Sequence, residues 1–164
     1  MGSEPTATSP LDDAGVLAID HVGVASADLD DSLAFYAGLI GLVEVHRETN
    51  EDQQVIEVML AAPGSADTTD RAGAAARRTA QLQLLAPLSA QSAVGKFLDR
   101  SGPGLQHLAL RVGDIAASSE RFRSQGLRLL YPEPRIGTAG SMINFVHPKD
   151  AGGVLLELVQ APES

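Results

Sequence analysis

The amino-acid sequence predicts an α+β fold: two copies of a βαβββ module whose strands form a curved mixed sheet around a shared cleft. Three observations lead there. The stretch Ile19–Asp31, IDHVGVASADLDD, returns as Leu105–Ala117, LQHLALRVGDIAA, with His21 and His107 separated by 86 residues and Asp28 and Asp114 by the same interval. A repeat of that length marks a duplicated supersecondary unit. Each copy is followed by the same succession of an amphipathic segment and alternating apolar strands. Finally, 164 residues of which 44% are apolar suffice for one packed core, and no run approaches the ~18 apolar residues of a membrane span.

Residues 1–16, rich in Ser, Thr, Pro, Asp and Ala without periodicity, read as a disordered lead-in. Residues 17–162 read as one domain, with a first module over 17–87, a connecting helix over 88–102 and a second module over 103–162. Leu17–Ser26 alternates as a strand, with Ile19, His21 and Gly23 on one face and Val22 and Val24 on the other. Asp28 is a helix N-cap, Leu29, Leu33, Tyr36 and Leu39 or Ile40 form the apolar stripe, and Gly41 ends the helix. Strands follow at Leu42–Glu48, Val55–Leu60 and Gln81–Ala86, the last two separated by the polar loop Pro63–Arg78. Ser89 is read as the cap of the connecting helix, which stops near Gly102. The second module repeats the order: strand Leu105–Val112, helix Asp114–Gln125, then strands Leu127–Tyr131, Met142–Val146 and Val154–Gln160. The eight strands suggest two four-stranded sheets, one per module.

Charge and composition narrow the function. A net charge of −9 argues against nucleic acid, and any anionic ligand needs a local basic patch. The absence of cysteine excludes disulfides and thiol chemistry. Together with the lack of a charged-then-apolar leader, it leads to the expectation of a cytoplasmic protein.

Superposing the modules places Gln83 opposite Glu157 on their last strands and Glu57 opposite Asn144 on their third. Pseudo-twofold symmetry then brings His21 and Gln83 together with His107 and Glu157. Two imidazoles, an amide oxygen and a carboxylate suit a divalent first-row metal. Taken singly, each residue has an ordinary structural role available, and His46 and His147 fall outside the repeat. Glu57 and Glu157 are sharper, because an unpaired carboxylate within an apolar strand costs several kcal/mol.

The blocks IDHVGVA, FYAGLIGL, VIEVMLAAP, QLQLLAPLS, GLQHLALRVGDI, LLYPEP and INFVHPKDAGGVLLELV closely resemble the methylmalonyl-CoA epimerases of the vicinal-oxygen-chelate superfamily. The likeness runs from Leu17 to Gln160. It implies the glyoxalase/bleomycin-resistance-like fold, a homodimer, a CoA thioester substrate and a divalent metal, Co2+ before Mn2+, Ni2+ or Zn2+. The activity implied is interconversion of (2R)- and (2S)-methylmalonyl-CoA by removal and return of the C2 proton through a metal-stabilised enolate. By motif match, His21, Gln83, His107 and Glu157 would hold the metal, and Glu57 and Glu157 would be the acid/base pair. Lys149, Asn144 and Arg135 are assigned to the substrate, with Arg77 and Arg78 as further candidates for the CoA phosphates. One departure is Gln106, where many members carry a second histidine. An ethylmalonyl-CoA epimerase, a glyoxalase-type lyase, an iron dioxygenase or a non-catalytic drug-sequestering protein would share the fold, and a stoichiometric metal separates the last from the enzymes.

Overall fold

Period-two alternation decides which side of each strand meets a helix and which meets the cleft. In the computed structural model, which describes residues 15–65 and 79–162, strand β1 (Val16–Ala25) turns Val24 toward one face and His21, Gly23 and Ala25 toward the other. Helix α1 (Leu29–Leu33), capped by the Asp28 carboxylate on the Asp31 amide at 3.0 Å, runs into a π-helical segment, Ala34–Leu39. It packs Leu29, Leu33 and Tyr36 on Val24, Val58, Leu60 and Leu84. Strands β2 (Val43–Asn50), β3 (Val55–Ala61) and β4 (Gln81–Pro87) complete the first module.

Helix α2 (Ala93–Ser101) is capped by Ser92, whose hydroxyl accepts the Gly95 amide, and not by Ser89. Ser89 instead offers its carbonyl to the Ser92 hydroxyl, and the helix approaches it so closely that a Cβ on Gly95 would stand 2.4 Å from that oxygen. The second module contains β5 (Gly104–Val112), α3 (Ile115–Ser124), β6 (Arg135–Ile136), β7 (Met142–Val146) and β8 (Leu156–Gln160). Helix α3, capped by Asp114, buries Ile115 and Phe122 against Val112, Val146 and Leu158. The strand expected at Leu127–Tyr131 is reduced to one bridge, Leu129 to Val146. Pro132 and Pro134 follow it, and a proline has no amide to extend a ladder.

All eight strands form one sheet, in the order β2-β3-β4-β1-β5-β8-β7-β6, rather than a sheet per module. The halves are fused where β1 and β5 pair antiparallel, while β1–β4 and β5–β8 are parallel. The order reads the same outward from the seam, so the duplication visible in the sequence is a pseudo-twofold of the sheet. The proposed lead-in up to Ala14 and the stretch 66–78 of the long loop, with Arg77 and Arg78, lie outside the described residues.

Candidate metal centre

Four adjacent strands across the seam, β4, β1, β5 and β8, present the four expected donors. Gly23 is in register with Gln83, and its repeat mate Ala109 is in register with Glu157. Across the seam His21 pairs with Ala109 and Gly23 with His107. The His107 ring occupies the space a side chain at position 23 would take: a Cβ there would lie 2.1 Å from its Cε1 and 2.7 Å from its Nε2. Glycine at 23 therefore makes room for the ligand.

The Nε2 atoms of His21 and His107 are 3.0 Å apart, and both approach the same Glu157 oxygen, Oε2, at 3.1 and 2.9 Å. All three residues are buried, and their donor atoms meet the spacing of a metal-holding group. Behind them, Asp20 accepts from the His21 Nδ1 at 2.9 Å and from the Arg111 Nε at 2.7 Å. His107 Nδ1 donates to the Gln106 amide oxygen at 2.5 Å. These outer bonds turn each Nε2 inward, as is usual for metal-ligating histidine.

Gln83, the fourth expected donor, lies on β4 beside His21's strand. Its Nε2 donates to the Thr138 hydroxyl at 2.9 Å, and its Oε1 is buried without a hydrogen-bond partner among the described residues. A buried, unpaired amide oxygen and three crowded basic atoms are what a divalent cation satisfies, and the mixture of imidazole, carboxylate and amide fits a first-row ion. Protons compete for the same atoms. Burial opposes charge on His21, but its bonds to Asp20 and Glu157 push it up to about 9. Burial likewise opposes charge on Glu157, yet the neighbouring His107 and His21 hold it down to about 2.

Glu57, on the cleft face of β3, is 2% exposed. Burial pushes it up to about 7, against the hydrogen bond it accepts from the Thr138 hydroxyl at 2.5 Å, with the nearby Glu48 and Glu157 charges adding to the rise. Residues 20–145 match the Glyoxalase/Bleomycin resistance protein/Dioxygenase superfamily. The chain belongs to this superfamily.

Within it, the chain is similar to a methylmalonyl-CoA epimerase from Mycobacterium tuberculosis, at 50% identity and a TM-score of 0.78 over 97% of this chain and 95% of that one. It is also similar to the Streptomyces coelicolor methylmalonyl-CoA epimerase in complex with 2-nitronate-propionyl-CoA, at 42% identity and a TM-score of 0.80 over 91% and 100% of the two chains. The ethylmalonyl-CoA/methylmalonyl-CoA epimerase of Cereibacter sphaeroides is 30% identical over 144 residues, 87% of this chain and 96% of that protein.

The superfamily's duplicated sheet also corrects one symmetry assignment. Met59 faces Gln83 as Phe145 faces Glu157, so the structural mate of Glu57 is Ile143, not Asn144. A slip of one residue sends a strand side chain to the opposite face. Asn144 accordingly spends its amide on backbone: it donates to the Tyr131 carbonyl and accepts the Tyr131 and Phe145 amides. Arg135 stands 4.0 Å from the Tyr131 ring, at a groove of about 710 Å³ also lined by Gln53, Gln54, Ser89 and Ser92. Edge contacts run from Tyr131 to Phe145 to His107, so this groove adjoins the donor cluster. Lys149 is exposed in the turn Pro148–Asp150.

Asp20, Glu48 and Thr138 are the residues the sequence reading passed over. Asp20 stands at the repeat interval from Gln106, which the duplication makes visible. Glu48 and Thr138 act across the cleft, and no local periodicity announces them.

Proposed function

We propose that this protein interconverts the (2R) and (2S) epimers of methylmalonyl-CoA, taking a proton from C2 on one face and returning one on the other. The observation that carries this reading is Glu57, a buried carboxylate whose proton affinity lies near neutrality and which is linked through Thr138 to the Gln83 edge of the donor cluster. A carboxylate of ordinary pKa is a weak base toward carbon, and raising it toward the working pH strengthens it. Thr138 occupies Oε2 of Glu57, leaving the other oxygen to take the C2 proton. Inversion needs a second proton carrier on the far side of the carbon, and Glu157, from the other half of the duplication, fills that role as well as its role as ligand. His21, Gln83, His107 and Glu157 would hold a divalent ion, which when bound supplies Lewis-acid stabilisation of the negative charge growing on the thioester oxygen.

The resemblance supports Co2+, with Mn2+, Ni2+ and Zn2+ as competitors, together with a homodimer; the absence of cysteine supports a cytoplasmic location. Among the described residues no helix is long and apolar enough to cross a membrane. Arg135 and Lys149 supply positive charge for the CoA phosphates on an otherwise acidic chain. A sequestering protein has no use for a buried carboxylate of raised proton affinity beside such a cluster. The deciding measurement is proton NMR of methylmalonyl-CoA, and of ethylmalonyl-CoA in parallel, in D2O with and without added Co2+. Metal-dependent deuterium entry at C2 is the expected result. Binding without exchange under any first-row metal would overturn the reading.

A further inference from the structure

A second set of contacts joins the halves above the cleft. The turn Thr138–Gly140 leaves the second module and touches three strands of the first. Thr138 donates its hydroxyl proton to Glu57 on β3 and accepts from Gln83 on β4. The next residue, Ala139, donates its amide to Glu48 Oε2 on β2 at 3.0 Å. That carboxylate oxygen also meets the His46 Nε2 at 2.6 Å.

The turn is closed by its own backbone, with the Ser141 amide on the Thr138 carbonyl at 3.1 Å and the Gly137 amide on the Ser141 carbonyl at 2.8 Å, but its middle is strained. Ala139 lies at φ 53°, ψ 33°, a left-handed conformation that disfavours any residue with a Cβ, and it is flanked by Gly140 at φ 73°. Before it, Gly137 sits against Ile143, where a Cβ would come within 2.6 Å of the Ile143 Cγ2. Strained backbone of this kind persists where its surroundings over-determine it. The Glu48 carboxylate is the group from the opposite half that secures the strained residue itself.

We propose that Glu48 is a positioning residue: by holding the Ala139 amide it fixes Thr138 over the cleft, and through Thr138 it sets both the Glu57 carboxylate and the orientation of the buried Gln83 amide. The chemistry of the chain enforces the direction. Glu48 is directly opposite Glu57 in the β2–β3 register, so both carboxylates rise from one cross-strand pair to meet one turn. An amide nitrogen only donates, so the Thr138 oxygen must receive Gln83 and spend its single proton on Glu57. That pattern keeps the Gln83 oxygen free for a cation and the ionised Glu57 in one rotamer. Losing the anchor therefore disturbs a metal ligand and a base together, although Glu48 touches neither.

This inference rests on the proposed function only for its kinetic arm. Glu48→Ala is compared with Glu48→Gln, which keeps an oxygen able to accept the Ala139 amide and removes the charge. Thr138→Val and Thr138→Ser form the second pair. Co2+ affinity is read by competition with a chelator, without substrate, and deuterium exchange at C2 gives kcat and KM. Glu48→Ala and Thr138→Val are expected to weaken Co2+ binding about tenfold and to lower kcat by about tenfold to a hundredfold with little change in KM. Glu48→Gln and Thr138→Ser are expected to recover most of both losses. Wild-type affinity and kcat in Glu48→Ala would overturn the proposal. So would a Glu48→Gln variant as impaired as Glu48→Ala, since charge rather than anchoring would then be the cause. Should the wild type show no exchange, the functional reading falls while the metal-affinity comparison still decides this one.

Discussion

In the first module the cleft histidine, His21, is backed by a carboxylate, Asp20, itself held by Arg111; in the second, the equivalent His107 is backed by the neutral amide of Gln106. The first module offers Gln83 on its last strand and Glu57 on its third, whereas the second offers Glu157 on its last and Ile143 on its third. His21 crosses the seam to Ala109, and His107 crosses to Gly23. The duplicated backbone thus supplies equivalent places, and single substitutions divide the work between them. Among the described residues each half holds one buried cleft carboxylate, at different strands, so a symmetric frame places two carboxylates in unlike surroundings.

The sharpest break in that division separates the two glutamates. Glu57→Gln is expected to lower C2 exchange by about 10²–10⁴-fold while leaving Co2+ affinity intact. Glu157→Gln is expected to lose both, and chelator competition beside NMR exchange distinguishes the two. Next is the pair at the seam. Gly23→Ala forces the His107 ring aside and should weaken Co2+ binding by about tenfold or more, as misplaced ligands do. Ala109→Gly leaves the cluster in place and costs only about 1 kcal/mol of stability, measured by urea unfolding.

The outer carboxylate provides a smaller effect. Asp20→Asn is expected to weaken metal binding about tenfold, and Gln106→Glu, which gives the second histidine a carboxylate like the first, to tighten it. Smallest is a stability signature of Glu57 in metal-free protein. Its folded value of about 7 exceeds the ordinary 4.5, so the folded chain binds the proton more tightly than the unfolded one. That contribution is complete below about pH 4.5 and lost as pH rises through 7. Glu57→Gln should therefore be the more stable protein at pH 8, by ~3 kcal/mol at most, and should converge with wild type below pH 4.5.

The repeat made most of this architecture legible. The grouping of His21, His107 and Glu157, and the place of Gln83 on the neighbouring strand, follow from placing one module on the other, because strand order and alternation were both preserved. The mate of Glu57 was legible by the same interval, since Ile143 stands 86 residues on; Asn144 is one residue beyond it, and a shift of one residue exchanges faces. Asn144 was misplaced for that reason. Ser92 caps α2 in place of Ser89, whose carbonyl instead receives the Ser92 hydroxyl, a local choice between two nearby serines. Glu48 and Thr138 were hidden because their bonds span 91 and 81 residues, a distance at which pattern carries no information.

The antiparallel seam between β1 and β5 also governs the order of events in folding. Its ladder unites segments almost ninety residues apart, and the bonds His21–His107, Asp20–Arg111 and Glu57–Thr138 all span a comparable length of chain. Closing so long a loop comes late and slowly. The atoms proposed to hold the ion come together as a set only after that closure. An ion captured there restrains the exit from the native state without hastening the entry, so its concentration prolongs the lifetime of the folded chain and leaves the refolding rate untouched.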